Sequence, residues 1–254
     1  MIKYRPTRSL PLRLLIKISR TTRCTFGMGS ITHVETTEPV VALTFDDGPD
    51  ARWTPQILEV LAEYKAKGTF FLLGKSAQKH PDLVKRMVDE GHQIGNHTWD
   101  HPPMPLVSAH ERREQIRRCE EALHRYGNPV RLFRPPYYYQ SMASRFDIFR
   151  LGYTVIIGNR AANDWEIRDT EFILDRLINT VSSGDIVLLH DSLCDRSHVS
   201  REPMIRALDL FLNKRRDSLR FVTISDLIKS GKPQKKIWLS EPDVNRFGAH
   251  KHHS

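Results

Sequence analysis

Val40-Val41-Ala42-Leu43-Thr44-Phe45-Asp46-Asp47-Gly48-Pro49 is the stretch on which the fold turns. Six residues, apolar but for one threonine, run straight into two acids, and a Gly-Pro pair then stops the chain. So short an apolar run, closed by turn residues, reads as a strand buried on both faces, as strands of parallel sheets are. Working outward, the same pattern recurs at 69–72, 93–96, 132–134, 153–157, 185–190 and 219–223. Between these candidate strands lie segments of helical period near 55–64, 81–90, 109–126, 142–151, 170–181 and 202–214. Strands alternating with helices predict an α/β fold, a distorted (β/α) barrel with about seven parallel strands.

The polar residues sit where such a fold concentrates its chemistry. The first strand runs into Asp46 and Asp47, the third into Asn96 and His97, the fourth into Arg134, and the sixth into His190 and Asp191. All are carboxyl ends, which share one rim in a (β/α) barrel, so residues nearly 150 positions apart are expected to converge.

Charge is placed unevenly. The chain carries 39 Lys and Arg against 30 Asp and Glu, a formal net charge of +9. Seven of the bases, from Lys3 to Arg23, precede the first acid, Glu35, so the rest of the chain is nearly neutral and offers no footprint for nucleic acid. The arm supports two readings. If 12–20 were helical, Arg13, Lys17 and Arg20 would oppose Leu12, Leu14, Leu15, Ile16 and Ile18, a cationic amphipathic helix suited to peripheral contact with an anionic membrane. Otherwise it is a flexible basic leader. Three widely spaced cysteines, Cys24, Cys119 and Cys194, form no CxxC pair, which argues against a disulfide framework and for a reducing compartment. With no apolar run long enough for a span or a signal core, the expected location is the cytoplasm, peripheral to the membrane inner face. The expected divisions are a basic arm over 1–37, a catalytic domain over 38–231 and a polar, disordered tail over 232–254 that ends His250-Lys251-His252-His253. The oligomeric state is left open.

Two neighbouring carboxylates at a strand end can point different ways, so one can hold a metal while the other faces water; alternatively, an Asp-Asp-Gly-Pro turn merely caps a loop. His97-Thr98-Trp99-Asp100-His101 places two imidazoles four residues apart, a separation that lets both face one ion on a helical turn. Imidazole plus carboxylate suits a divalent metal, zinc foremost, with cobalt and nickel able to share the ligands. His80, His92, His110, His124 and His198 lack such company and read as surface histidines.

With these residues in place, the chain resembles the polysaccharide deacetylases, the family-four carbohydrate esterases that share the NodB homology domain. Five motifs occur in the family's order between Val41 and Asp191. The resemblance implies that Asp46 is the catalytic base and Asp47 a metal ligand, with His97 and His101 completing the metal set. Arg134-Pro135-Pro136-Tyr137 is similar to the third motif, which implies that Arg134 orients the base and that the backbone N–H of Tyr137 serves the oxyanion. Asp164-Trp165 resembles the end of the fourth motif, in which the Asp polarises an acid histidine and the Trp walls the acetyl pocket. Leu188-Leu189-His190 resembles the fifth, implying Leu188 in that pocket and His190 as general acid. One departure is Ala161, where the fourth motif often has another Asp.

The implied activity is metal-dependent removal of N-acetyl groups from a GlcNAc-containing oligo- or polysaccharide, with Tyr137, Tyr138, Tyr139 and Gln140 as a platform for the carbohydrate. A lipid-linked glycan is included, because no export signal points to assembled wall polymer. Two rival readings are a hydrolase of another amide or an O-acetyl ester, and a catalytically silent glycan-binding domain. The intact Asp46, metal triad and His190 count against silence.

Overall fold

At the centre of the fold, a computed structural model that describes residues 28–127, 131–196, 198–240 and 242, is β2 (Val40–Asp46), buried along its whole length. It pairs in parallel with β3 (Gly68–Leu72) and β8 (Ile186–His190), and its first residues also meet β9 (Arg220–Phe221). With β4 (Gln93–Asn96), β5 (Leu132–Phe133), β6 (Thr154–Val155) and β7 (Arg160–Ala161), the order is β6-β5-β4-β3-β2-β8-β7, every pair parallel. The two edge strands, β6 and β7, are joined by residues 156–159 alone, so the sheet has to curl until its edges approach. That curled, distorted barrel is the architecture the sequence predicts.

Side-chain alternation along β2 explains how the barrel is filled. Val41, Leu43 and Phe45 join the large core shared with the helices, whereas Val40 and Ala42 join the smaller cluster with Phe71, Leu132, Ile156 and Ile186. Thr44 and Asp46 continue the second column, which turns from apolar to polar as it climbs toward the carboxyl rim. Around the sheet lie α1 (Thr54–Glu63), α2 (Gly74–Lys79), α3 (Pro81–Asp89), α4 (Ala109–His124), α5 (Met142–Arg150), α6 (Thr170–Thr180), α7 (Glu202–Arg215) and α8 (Ile224–Lys229). Their starts carry expected signals: Pro at the first turn of α1, α3 and α7, and side-chain caps from Ser108, Asp169 and Thr223.

Several expectations need correction. Ser30–Glu35, within the stretch assigned to the arm, is β1, and Lys232–Lys236, expected to open a disordered tail, is β10; the two pair antiparallel. Strand β10 has no apolar residue besides Pro233, and its lysines stay exposed while backbone pairing with β1 holds it. Strand β7 and helices α2 and α8 are too short to show a period. His92 is buried, not superficial: its Nδ1 accepts the Gly68 N–H at 3.0 Å, and burial pushes its pKa down to about 4. The amphipathic reading of 12–20 and the terminal His-containing tract lie outside the described residues. Among those described, no helix is long and apolar enough to cross a membrane.

Candidate active site

Asp46 ends β2 with its carboxylate pointing into the barrel, where Arg134 Nη1 donates to Oδ1 at 2.7 Å. The same nitrogen donates to the Thr44 hydroxyl at 2.7 Å, and Nε donates to the Ile156 carbonyl. The guanidinium is wholly buried and lies 4.1 Å over the Phe71 ring. A buried cation is tolerated only with such pairing, so Arg134 and Asp46 fix each other's position.

Asp47 follows at φ 76°, a left-handed turn that swings its side chain away from that of Asp46. The Cys194 N–H donates to Oδ2 at 3.2 Å, which leaves Oδ1 aimed at two imidazoles. His97 Nε2 lies 3.4 Å and His101 Nε2 3.3 Å from it. The helical turn expected from sequence for the two histidines is not found; they occupy a loop in which Thr98 and His101 both take positive φ. The loop is held by local bonds. Asn96 Oδ1 accepts the Thr98 N–H, Thr98 Oγ1 accepts the His101 N–H, and Gln115 Oε1 accepts from Trp99 and Asp100. His97 Nδ1 lies 2.7 Å from the Arg134 carbonyl, which can only accept, so Nδ1 carries the proton and Nε2 presents its lone pair.

The three groups fit a metal. Asp47 Oδ1 is buried without a hydrogen-bond partner among the described residues, and the three ligand atoms lie within 4.8 Å of one another. A tetrahedral zinc with ligands at about 2.0–2.1 Å spaces its donors by roughly 3.4 Å, close to the two separations observed here. Burial alone would raise the Asp47 pKa, but His101, His97 and His190 outweigh it and hold the carboxylate ionised.

Across the cleft, His190 ends β8 and its ring meets Asp164 Oδ1 at 3.1 Å, while Asp164 Oδ2 accepts the His190 N–H at 2.9 Å. Burial would lower the imidazole pKa; Asp164, aided by Asp47 and Asp46, raises it instead. Asp164 is itself clamped by the buried Arg201, whose Nη2 donates to its side chain and its carbonyl. Arg201 escaped the sequence reading because nothing around it in Ser200-Arg201-Glu202-Pro203 marks it as a site residue. Asp191 also comes close: burial pushes its carboxyl up to about 7, the Thr54 hydroxyl donates to it, and a methyl on Gly48 would sit 2.0 Å from its Oδ2.

Asp46, Asp47, His97, His101 and His190 line a cleft of about 830 Å³. Trp165 stands edge-on to His190 at 5.7 Å, and Leu188 forms part of the wall. Ala161 presents a methyl to the cleft. On the far side Tyr137, at φ 55°, packs 4.4 Å from the His101 ring, stacks on Tyr139 and donates its hydroxyl to Asp195 at 2.6 Å. Cys194 and Asp195 were not expected in the lining and lie in a loop without motif character.

A family model described as polysaccharide deacetylase matches residues 33–156. The chain is 36% identical over 200 residues to a peptidoglycan-N-acetylglucosamine deacetylase of Bacillus cereus, covering 78% of this chain and 92% of the relative. It belongs to the polysaccharide deacetylase family. Another member, a chitooligosaccharide deacetylase of Sinorhizobium fredii, is 35% identical over 60% of this chain and 72% of its own length. The crystal structure of the Bc1960 peptidoglycan N-acetylglucosamine deacetylase superposes with a TM-score of 0.73 at 33% identity, over 80% of this chain and 94% of that one. All ten residues singled out from sequence for the deacetylase site are thus placed around or beside one cleft, with Arg134 and Asp164 behind it as supports.

Proposed function

We propose that the protein removes acetyl groups from the amide nitrogen of GlcNAc-containing glycans, with a divalent metal, zinc foremost, held by Asp47, His97 and His101. The observation that carries this reading is one unpartnered carboxylate oxygen facing two imidazole nitrogens, with a second carboxylate and an ion-paired imidazole flanking it in the same cleft. When bound, the ion supplies Lewis acidity that lowers the pKa of an attacking water from about 15.7 to about 7 and polarises the acyl carbonyl.

The chain's own groups do the remaining work. Asp46, aimed by Arg134, takes the proton of the attacking water. The backbone N–H of Tyr137 donates to the oxygen that gains charge, a contribution of roughly 3–4 kcal/mol for a preorganised donor. His190, kept protonated by Asp164, delivers its proton to the departing sugar nitrogen, which is otherwise a poor leaving group. Trp165 and Leu188 give the acetyl methyl an apolar wall, and the Tyr137–Tyr139 stack offers flat faces to sugar rings.

The test is a metal-supplemented reaction on N-acetylchitooligosaccharides, peptidoglycan fragments and lipid-linked GlcNAc, followed by mass and by amine titration. One acetyl lost per event, together with one new amine, is the expected result for at least one substrate. Acyl loss without an amine would mean ester cleavage; no acetate from any of them would overturn the proposal.

A further inference from the structure

Helix α5 buries Ser144, Arg145, Asp147 and Ile148 and turns the opposite face outward. Met142, Phe146 and Phe149, at spacings of four and three, share that outer face and are 40–50% exposed. Large apolar side chains in solvent at this spacing call for a partner. The Gln140–Ser240 bridge pairs the start of this segment with the chain beyond β10, which brings Trp238 and Leu239, both about 40% exposed, up to the same end of the helix.

Three cations lie on or beside this stretch of chain. The Arg150 guanidinium lies over Phe146, and Lys235 and Lys236 are exposed just ahead of Trp238. Asp147, the single acid in the helix, is buried and paired with Arg112 and Arg113. Ser30 pairs with Lys236 in the β1–β10 ribbon and accepts from Arg145 of α5 at 2.8 Å, so the described chain begins beside the patch. The patch also abuts the cleft, because Tyr137–Tyr139 on its lip lead directly into Gln140.

We infer that the face formed by α5 and residues 237–240 docks on an anionic lipid surface. Phenylalanine and tryptophan enter the interface, while Arg150, Lys235 and Lys236 meet anionic headgroups. A second copy of the chain fits less well, since two such faces would bring like charges together.

Full-length protein is sedimented with phosphatidylcholine vesicles with and without phosphatidylglycerol, at low and high salt. The expected result is retention by the anionic vesicles only, weaker at high salt. Phe146→Ser/Phe149→Ser should weaken it about tenfold or more, and Lys235→Glu/Lys236→Glu likewise, with far-UV circular dichroism unchanged. Both changes fall on exposed side chains, and the second lies outside the helix, so misfolding of one variant leaves the other to decide. No retention by anionic vesicles overturns the inference, as does equal retention of wild type and both folded variants. So does a concentration-dependent dimer in light scattering that the phenylalanine variant converts to monomer without any vesicle effect.

Discussion

Arg134→Met removes the one charge that balances Asp46 inside the barrel while keeping most of the apolar stem that packs on Phe71. Breaking a buried ion pair from one side costs about 3–5 kcal/mol, because the remaining charge is stranded. Here the Thr44 hydroxyl and the Ile156 carbonyl also lose their donor, so the upper part of that range is expected. A domain's total stability is typically about 5–15 kcal/mol, so the variant should show a large fall in urea midpoint. Arg134→Met/Asp46→Asn removes the stranded charge as well. It should recover about 2 kcal/mol of the loss, a coupling within the range seen for side chains in contact. Urea unfolding of the four proteins of this cycle measures the coupling directly. A single-variant loss under about 1 kcal/mol, or strict additivity, would refute the claim that these two residues fix each other. Activity should vanish in all three variants, which separates the stability readout from the catalytic one.

Further outcomes follow from other parts of the site. After chelation, zinc at a hundredfold excess over its dissociation constant should stabilise the wild type by about 2.7 kcal/mol, or roughly 5–10 °C in Tm; His101→Ala should show no such shift in calorimetry. His190 has to be protonated to act and its pKa is raised chiefly by Asp164 against burial, so activity should fall as pH rises through that value. In Asp164→Asn this alkaline limb should move to lower pH, and an unmoved kcat profile would detach Asp164 from the proton transfer. His92 is held near 4 when folded against 6.5 as a free group, so the unfolded chain binds more protons between these values and stability drops as pH falls through that window. The drop amounts to about 3 kcal/mol at most, and urea midpoints at pH 7 and pH 4.5 should show it in the wild type and lack it in His92→Asn.

What could be read from sequence and what could not divides along physical lines. Strands β2 and β8 announced themselves because burial on both faces demands apolar runs, and their ends showed because ionisable groups there have no structural reason to follow such runs; Gln93-Ile94-Gly95-Asn96 of β4 carries no such run and was marked chiefly by the histidines after it. The candidate ligands Asp47, His97 and His101 were therefore visible, yet the path between the two histidines was not. It depends on side-chain bonds from Asn96, Thr98 and Gln115 that permit positive φ, and spacing alone cannot distinguish that loop from a helical turn. Arg201 and His92 were missed for a related reason. Each is a polar residue whose burial is set by partners remote in the chain, Asp164 for the first and the Gly68 amide for the second. Strand β10 left no pattern because pairing through the backbone makes no demand on side-chain hydrophobicity.

The β1–β10 ribbon imposes an order of assembly. Its first strand is complete by Glu35, but its mate is not made until Lys236 has been added, a wait of roughly 10–40 s at ordinary rates of synthesis. Once His101 has been added, all three candidate metal ligands are present while one edge of β1 still has no neighbour, so a nascent chain stalled late would expose a sticky strand beside a nearly finished catalytic centre. Quality control that acts on unpaired edges would thus recognise unfinished copies of this enzyme by their beginning, not by their end.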